Sequence, residues 1–451
     1  MHRFGQHLKD PLNLILATLV ALSLLGAWSY AKEAPGLDYY VAWVAADAVK
    51  NDTPLNIYEP SSRYTLAVQY RNKADALDNA PRQKQLAAYR KSLPMTATPL
   101  LYWVTGLLAT GQYENDLTHW HLLSLVLLTT SMLVTCRLLG YSAASGLALL
   151  LPVIVWFAPF YSDLRVGNVN SFQLGLIGLI LWLQSRQSHG RYLFTSGLVA
   201  GLLVMFKPNL APVALLIGGG WAVRQQYSKL VISVGGMATG AVTAVLVSSF
   251  WLGSATAWID WLKLIQRVVD GGPGEAGGNF SIITQFTSGV GPLGQLTAAV
   301  SLCLVCLVFL WWGRRGTSAL EADAAESQRE FIENSCLVAL GCIVTMLTST
   351  LVWLQYYVLT IPMLMVALRP WQDPGPIKIL PLLMLRVLPV VALVLLMETA
   401  LKAVIGSDGR DYWAMATMTS TLVLFVAGLW QLGFGIRARP GPQADAAPAV
   451  R

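Results

Sequence analysis

The sequence predicts an all-α polytopic membrane protein, and three observations carry that reading. Hydrophobic residues make up 55% of the 451 residues, and charged residues only 12%, against about a quarter in soluble domains. Mean hydropathy is +0.54. Apolar runs approaching the ~20 residues that cross a hydrocarbon core recur along the whole chain.

The first run, Leu12 to Trp28, is followed by no small-residue cleavage site and reads as a retained span. With the N-terminus inside, residues 31–116 form a first outer loop. Its positive charges do not argue against that side, because the positive-inside rule governs mainly short loops. Within it, Tyr40 to Val49 reads as an amphipathic helix lying on the membrane, and 96–110 as a short interfacial or re-entrant piece. Spans follow over 118–139, 143–158 and 171–184. Residues 193–206 and 209–223 are each too short for a comfortable crossing and are separated by Lys207-Pro208-Asn209. They read as a hairpin entering from the cytoplasm, its break buried in protein or lining a cavity.

Residues 231–250 lead to a second outer loop, 251–290, and 291–312 return to a mobile, mixed-charge cytoplasmic loop, 313–333. Segments 335–352, 355–369, 379–397 and 412–434 complete one integral domain over 1–434, with about ten to twelve membrane helices. The Pro/Ala-rich tail, 435–451, reads as disordered and cytoplasmic. Internal repeats are not evident, which weighs against transporter folds built from duplicated halves.

The net charge of +7 does not indicate nucleic-acid binding. Basic clusters at Arg186/Arg191, Arg224/Lys229 and Arg314/Arg315/Arg329 fall in segments the threading puts inside. The cysteines (Cys136, Cys303, Cys306, Cys336, Cys342) lie in apolar runs and read as small core residues. There is no metal-ligand spacing, nucleotide-cradling loop or nucleophile elbow, so no metal and no cofactor is expected.

Polar groups at membrane depth or rim need a reason. In "APGLDYYVAW", Asp38 stands before a helical segment, beside Tyr39 and Tyr40. It is either a helix N-cap or a general base held near an acceptor. "FAPFYSDLRVGNVNSFQLG" gathers Asp163, Arg165, Asn168, Asn170 and Gln173 in one turn. Its amides suit sugar hydroxyls and its guanidinium a phosphate, or the turn is a solvated hairpin with Asn caps. Lys207 is a partner for a lipid phosphate or a snorkelling lysine. "GGNFSIITQF" offers Asn279, Ser281 and Gln285 after a Gly-rich stretch that reads as a lid. "WLQYYVLTIP" offers Gln355, Tyr356 and Tyr357, which an aromatic belt explains equally well. His119 and His121 read as interfacial packing.

The succession "LDYYVAWVAADAVKNDTPLNIYEP" (37–60), "GNVNSFQLGLIGLILW" (167–182), "GLVAGLLVMFKPNLAPVALL" (197–216) and "GGNFSIITQF" (277–286) resembles glycosyltransferase family 87. The resemblance implies a GT-C-like bundle at the cell (cytoplasmic) membrane with its site on the outer face. It implies transfer of a sugar, commonly mannose, with inversion from a polyprenyl-phosphate carrier to a lipid or glycan acceptor. Asp38 then takes the general-base position. Arg165 and Lys207, with Asn168, Asn170, Gln355 and Tyr356, would serve the donor, and Tyr39, Tyr40, Asn279 and Ser281 the acceptor or lid. The chain departs from the pattern in carrying Gly167-Asn168-Val169-Asn170 where Gly-Gln-x-Asn is usual, Gln355 where His is frequent, and "MTATPLLYW" for a "YPP"-like opening. A transporter or flippase for lipid-linked sugars is the rival class, favoured only by Lys207. A non-catalytic polysaccharide-assembly subunit is a third.

Overall fold

The computed structural model describes residues 10–51, 56–187, 189–270, 279–283, 291–315, 323–370, 383–397 and 410–435. Gln285, the Gly-rich stretch before Asn279 and nearly all of the 435–451 tail lie outside them.

Eighteen α-helices are described. They are α1 Pro11–Glu33, α2 Leu37–Lys50, α3 Pro60–Asp75, α4 Pro81–Tyr89, α5 Pro99–Leu108, α6 Tyr113–Leu138, α7 Ala143–Trp156, α8 Ala158–Val166 and α9 Asn170–Gln184. Then come α10 Gly190–Phe206, α11 Ala211–Val223, α12 Tyr227–Trp251, α13 Ala257–Asp270, α14 Pro292–Arg315, α15 Asp323–Thr348, α16 Ile361–Ala367, α17 Leu388–Leu395 and α18 Arg410–Trp430. No strand ladder occurs among the described residues, only an isolated bridge between Phe157 and Met397. The protein is an all-α polytopic membrane protein.

Six helices (α1, α6, α12, α14, α15 and α18) are long and apolar enough to cross a membrane; α8 and α9 meet that test only as a pair, which is bent by 115° at its break and forms either a broken span or a re-entrant loop. Other apolar stretches are broken at Pro, Gly or polar residues into helices of 10–17 residues. The ten to twelve membrane helices expected from hydropathy therefore include several too short to span alone. Helix α15 is 94% enclosed over its apolar window, so it forms the axis of the bundle, whereas α1 lies at the periphery with 17% enclosed.

Helices α10 and α12 pack backbone to backbone through Gly197, Gly201, Gly236 and Gly240. A Cβ at Gly197 would overlap the Ser233 carbonyl, at Gly201 that of Met237, at Gly236 that of Phe194, and at Gly240 that of Leu198. Small residues four apart permit this close approach. The contacts ascend together along both chains, so the two helices run parallel and α11 between them must run back. The Lys207 turn is the tip of that excursion. The Thr98 hydroxyl donates to the Phe206 carbonyl (3.0 Å) and the Thr345 hydroxyl to the Asn209 carbonyl (2.7 Å), fixing the turn from both sides.

Two expectations are corrected. Helix α2 does not lie on a membrane surface, because Tyr39 through Ala48 are all buried. Alanines and aromatics cover every face of α2, so it is enclosed by α3, α4, α5 and α6 in a second core beside the membrane bundle. Asp47, at its far end, accepts from the Tyr70 hydroxyl (2.6 Å) and pairs with Lys73 (3.6 Å). The charges of 313–333 are also not a mobile loop where described. Residues 313–315 end α14, and 323–333 open α15, with Arg329, Glu330 and Glu333 buried. Glu333 gathers Arg224, Arg314 and Arg329, each about 3.0 Å away, and Lys229 pairs with Glu330 at 2.8 Å. Mutual neutralisation lets a segment that reads as polar loop enter the core.

Candidate functional site

The Pro35-Gly36 turn delivers Asp38. Gly36 has φ +73°, and a Cβ there would stand 2.6 Å from Leu117 and 2.8 Å from the Tyr113 hydroxyl. Its N–H donates to the Arg165 carbonyl (3.1 Å), and Tyr113 donates to the Pro35 carbonyl (2.7 Å). Gly36 is the N-cap residue, and no side chain caps the helix. Asp38 therefore sits inside the first turn and is not the cap, although the helix dipole still favours a carboxylate there. Its Oδ2 accepts from the Asn168 amide (2.6 Å) and, more weakly, from the Gln355 amide (3.5 Å).

The facing wall is the sharp turn between α8 and α9. Gly167, with φ +64°, ends α8; its N–H donates to the Leu164 carbonyl and the Asn168 N–H to that of Asp163, a Schellman closure. A Cβ on Gly167 would lie 2.8 Å from that of Tyr39, so glycine here lets the turn press against α2. The turn sends Asn168 to Asp38 and Asn170 the other way. The Asn170 amide donates to Asp163 (2.8 Å) and to the Gln355 carbonyl (3.0 Å), while its oxygen accepts from Lys207 (3.2 Å). Asp163 is 1% exposed and also accepts from the Ser171 hydroxyl (2.8 Å).

Lys207 completes the group. Its ammonium lies 3.7 Å from the centre of the Tyr356 ring, a cation–π contact. Gln355 accepts from Ser162 (3.2 Å). Asp38, Lys207 and Tyr356 each keep partial exposure, whereas Asn168, Asn170, Asp163 and Gln355 are buried behind them. Burial, the largest influence, raises the pKa of Asp38 from the ordinary carboxylate value, opposed by the Asn168 hydrogen bond and the charges of Arg90 and Lys207. Both amide donors reach Oδ2, which leaves Oδ1 without a partner among the described residues.

The structure thus brings together Asp38, Asn168, Asn170, Lys207, Gln355 and Tyr356. It does not bring Arg165, whose side chain is exposed and hydrogen-bonds to none of them; only its carbonyl takes part. Tyr39 and Tyr40 are 1% exposed, with Tyr39 packed on Trp120 at 4.8 Å between ring centres and Tyr40 on Tyr113 at 5.4 Å. They build the wall behind Asp38 and offer no open surface to a ligand. Asn279 and Ser281 pin their segment to the run before Gln355. Asn279 receives the N–H groups of Ser281 and Val352, and the Ser281 hydroxyl donates to the Ser349 carbonyl (2.6 Å). His119 is exposed and His121 buried within α6.

Among the described residues, no three His, Cys, Asp or Glu side chains are placed to hold a metal ion. Ser162 and Ser171 were not singled out from sequence, and neither was Arg90, whose charge acts on Asp38. Only their neighbours in space distinguish them.

The profile of glycosyltransferase family 87 matches residues 96–327, about half of the chain. The match includes Asp163, Asn168, Asn170 and Lys207, while Asp38 and Gln355 lie outside it. No curated protein and no solved structure matches.

Proposed function

The chain belongs to glycosyltransferase family 87, and from that premise we propose that it transfers a hexose, mannose first, from a polyprenyl-phosphate carrier to a lipid or glycan acceptor. In this reading the reaction runs at the outer face of the cytoplasmic membrane. Asp38 Oδ1 removes the proton of the acceptor hydroxyl. The hydroxyl oxygen attacks the anomeric carbon from the face opposite the phosphate, and the bond from that carbon to the phosphate oxygen breaks. The electron pair leaves on the polyprenyl phosphate, and the single displacement inverts the anomeric centre. Lys207 balances negative charge as it gathers on the departing phosphate.

The observation that carries the reading is Asp38 itself. It is a half-open carboxylate whose Oδ2 is held by buried amides while Oδ1 has no partner among the described residues, with an ammonium close by. Burial lifts its pKa toward a value useful for a base. The buried network of Asn168, Asn170, Asp163 and Gln355 fixes these groups before substrate arrives, which lowers the cost of reaching a productive geometry.

The test is reconstitution of the purified protein in lipid nanodiscs with radiolabelled polyprenyl-phosphate hexoses and a membrane-lipid extract. Label moving into an acceptor lipid or glycan, with release of polyprenyl phosphate, supports the proposal. Label crossing the bilayer of sealed vesicles without any transfer would establish a flippase and overturn it.

A further inference from the structure

Helix α13 has the pattern of a helix that lies on a membrane, the place that the enclosed α2 does not take. Its residues sort into three strips. Ala257, Trp261 and Leu264, spaced i, i+4 and i+7, are at most 8% exposed, and the helix packs against α5 and α12. Ile259 and Leu262 are more than half exposed, at 52% and 57%. Lys263 and Arg267, one turn apart, are exposed as well and form no ion pair among the described residues. Asp260, one turn before Lys263, is held instead by the Asn56 amide (3.1 Å) and the Thr256 hydroxyl (2.9 Å). Like charges one turn apart repel, so the cationic strip gains from an anion supplied from outside. The aliphatic strip gains from an apolar solvent.

A bilayer supplies both. Helix α12, which α13 follows, is long and apolar enough to cross one. On it Val242, Leu246 and Phe250, at four-residue steps, are 56%, 64% and 90% exposed, a stripe for which hydrocarbon is the fitting solvent. The stripe leads to the end of α12 where the Trp258 indole N–H donates to the Ser248 hydroxyl (3.0 Å). The open flank of α13 therefore adjoins the hydrocarbon-facing surface of α12. Trp261 stands beside Trp258, 5.7 Å between ring centres, and amphipathic indoles favour the boundary between hydrocarbon and headgroups.

We propose that α13 lies in the surface of the leaflet on the Asp38 side, with Ile259 and Leu262 among the acyl chains and Lys263 and Arg267 on anionic lipid headgroups. Its buried strip carries that contact inward. The Trp261 indole N–H donates to the Thr96 carbonyl (3.0 Å), and two residues on, the Thr98 hydroxyl holds the carbonyl of Phe206, the residue before Lys207. The leaflet surface is thereby tied, through two hydrogen bonds and the 96–98 segment, to the turn that presents Lys207. This placement does not depend on the identity of the donor.

The native cysteines are buried, so a cysteine introduced on α13 is the one a thiol-reactive fluorophore reaches. The full-length protein carries the fluorophore at Leu262→Cys, Ile259→Cys or Arg267→Cys, in nanodiscs of mixed phosphatidylcholine and phosphatidylglycerol. Lipids with brominated acyl chains should quench the probe at the two aliphatic positions, and aqueous iodide should spare it there while reaching it at Arg267→Cys. Comparing brominated phosphatidylglycerol with brominated phosphatidylcholine at the Leu262→Cys probe reads the headgroup preference. Lys263→Gln and Arg267→Gln should each lower that preference about fivefold, the worth of one basic residue at an anionic surface, with the melting temperature unchanged. Iodide reaching both aliphatic positions as readily as Arg267→Cys would put the helix in water and overturn the proposal. Protection from both quenchers would overturn it too, since protein would then cover the face. A headgroup preference absent from the wild type, or unchanged in the double glutamine variant, would remove lipid from the cationic strip and overturn it equally.

Discussion

Asp38→Asn separates a base from a structural carboxylate. The substitution keeps shape and keeps one oxygen, which can remain at the Oδ2 position to accept from Asn168 at about the present 2.6 Å. The amide nitrogen then takes the place of Oδ1, which has no partner to lose among the described residues. Stability should therefore change by less than about 1 kcal/mol, within the range of one neutral hydrogen bond. Catalysis should change far more, because an amide cannot accept the proton of the acceptor. General-base assistance contributes typically ~10²- to 10⁴-fold, equivalent to about 2.7–5.4 kcal/mol of barrier. The assay is hexose transfer in nanodiscs, with thermal melting of the same preparations. The pH profile adds an independent check. Burial raises the Asp38 pKa and the base must be ionised, so wild-type activity should rise with pH through that raised value. The acid limb then lies above the ordinary carboxylate pKa of about 3.9, and the variant's residual activity should lack it. A variant retaining more than about a tenth of wild-type turnover, or losing melting temperature in step with activity, would refute the assignment.

Other outcomes follow from the same geometry. Asp163→Asn should lower kcat/KM about tenfold, because Asn170 and through it Lys207 lose a charged anchor; the loss should appear mainly in kcat, with the variant still monodisperse, whereas unchanged kinetics would make Asp163 purely structural. Glu333→Ala removes the carboxylate shared by Arg224, Arg314 and Arg329, leaves Arg314 only the half-exposed Glu326 as a charged partner among the described residues, and should cost about 3–5 kcal/mol, read as a large fall in melting temperature in detergent. Gly197→Ala should push α10 from α12 and destabilise by about 1–3 kcal/mol, measurable in the same melt, and Gly235→Ala, where a Cβ has open space, is the control expected to be silent.

How far the sequence could be read depended on whether a property was local. Membrane class and helical architecture follow from composition and run length, because partition into hydrocarbon is decided segment by segment. The break at Lys207 was legible for the same reason: an ammonium and a proline interrupt an apolar run whatever surrounds it. The choice of Asp38 as base came from resemblance and an outer-loop position, since local spacing leaned toward a helix cap.

Tertiary structure decided what needed a partner. Tyr39 and Tyr40 resemble ligand-facing aromatics in one dimension, but α6 and the Gly167 turn close over them. Residues 323–333 resemble a loop until Glu333 meets three arginines drawn from α14, α15 and the end of α11. Asp38 turned from cap to a carboxylate held inside the first turn because Gly36 had already begun the helix and Asn168, 130 residues away, supplied the donor. Arg90 carried no signal at all, one basic residue in a polar stretch. Hydropathy records what each side chain prefers as solvent; which charge or amide stands opposite it is set by contacts between distant segments, and on those this site depends.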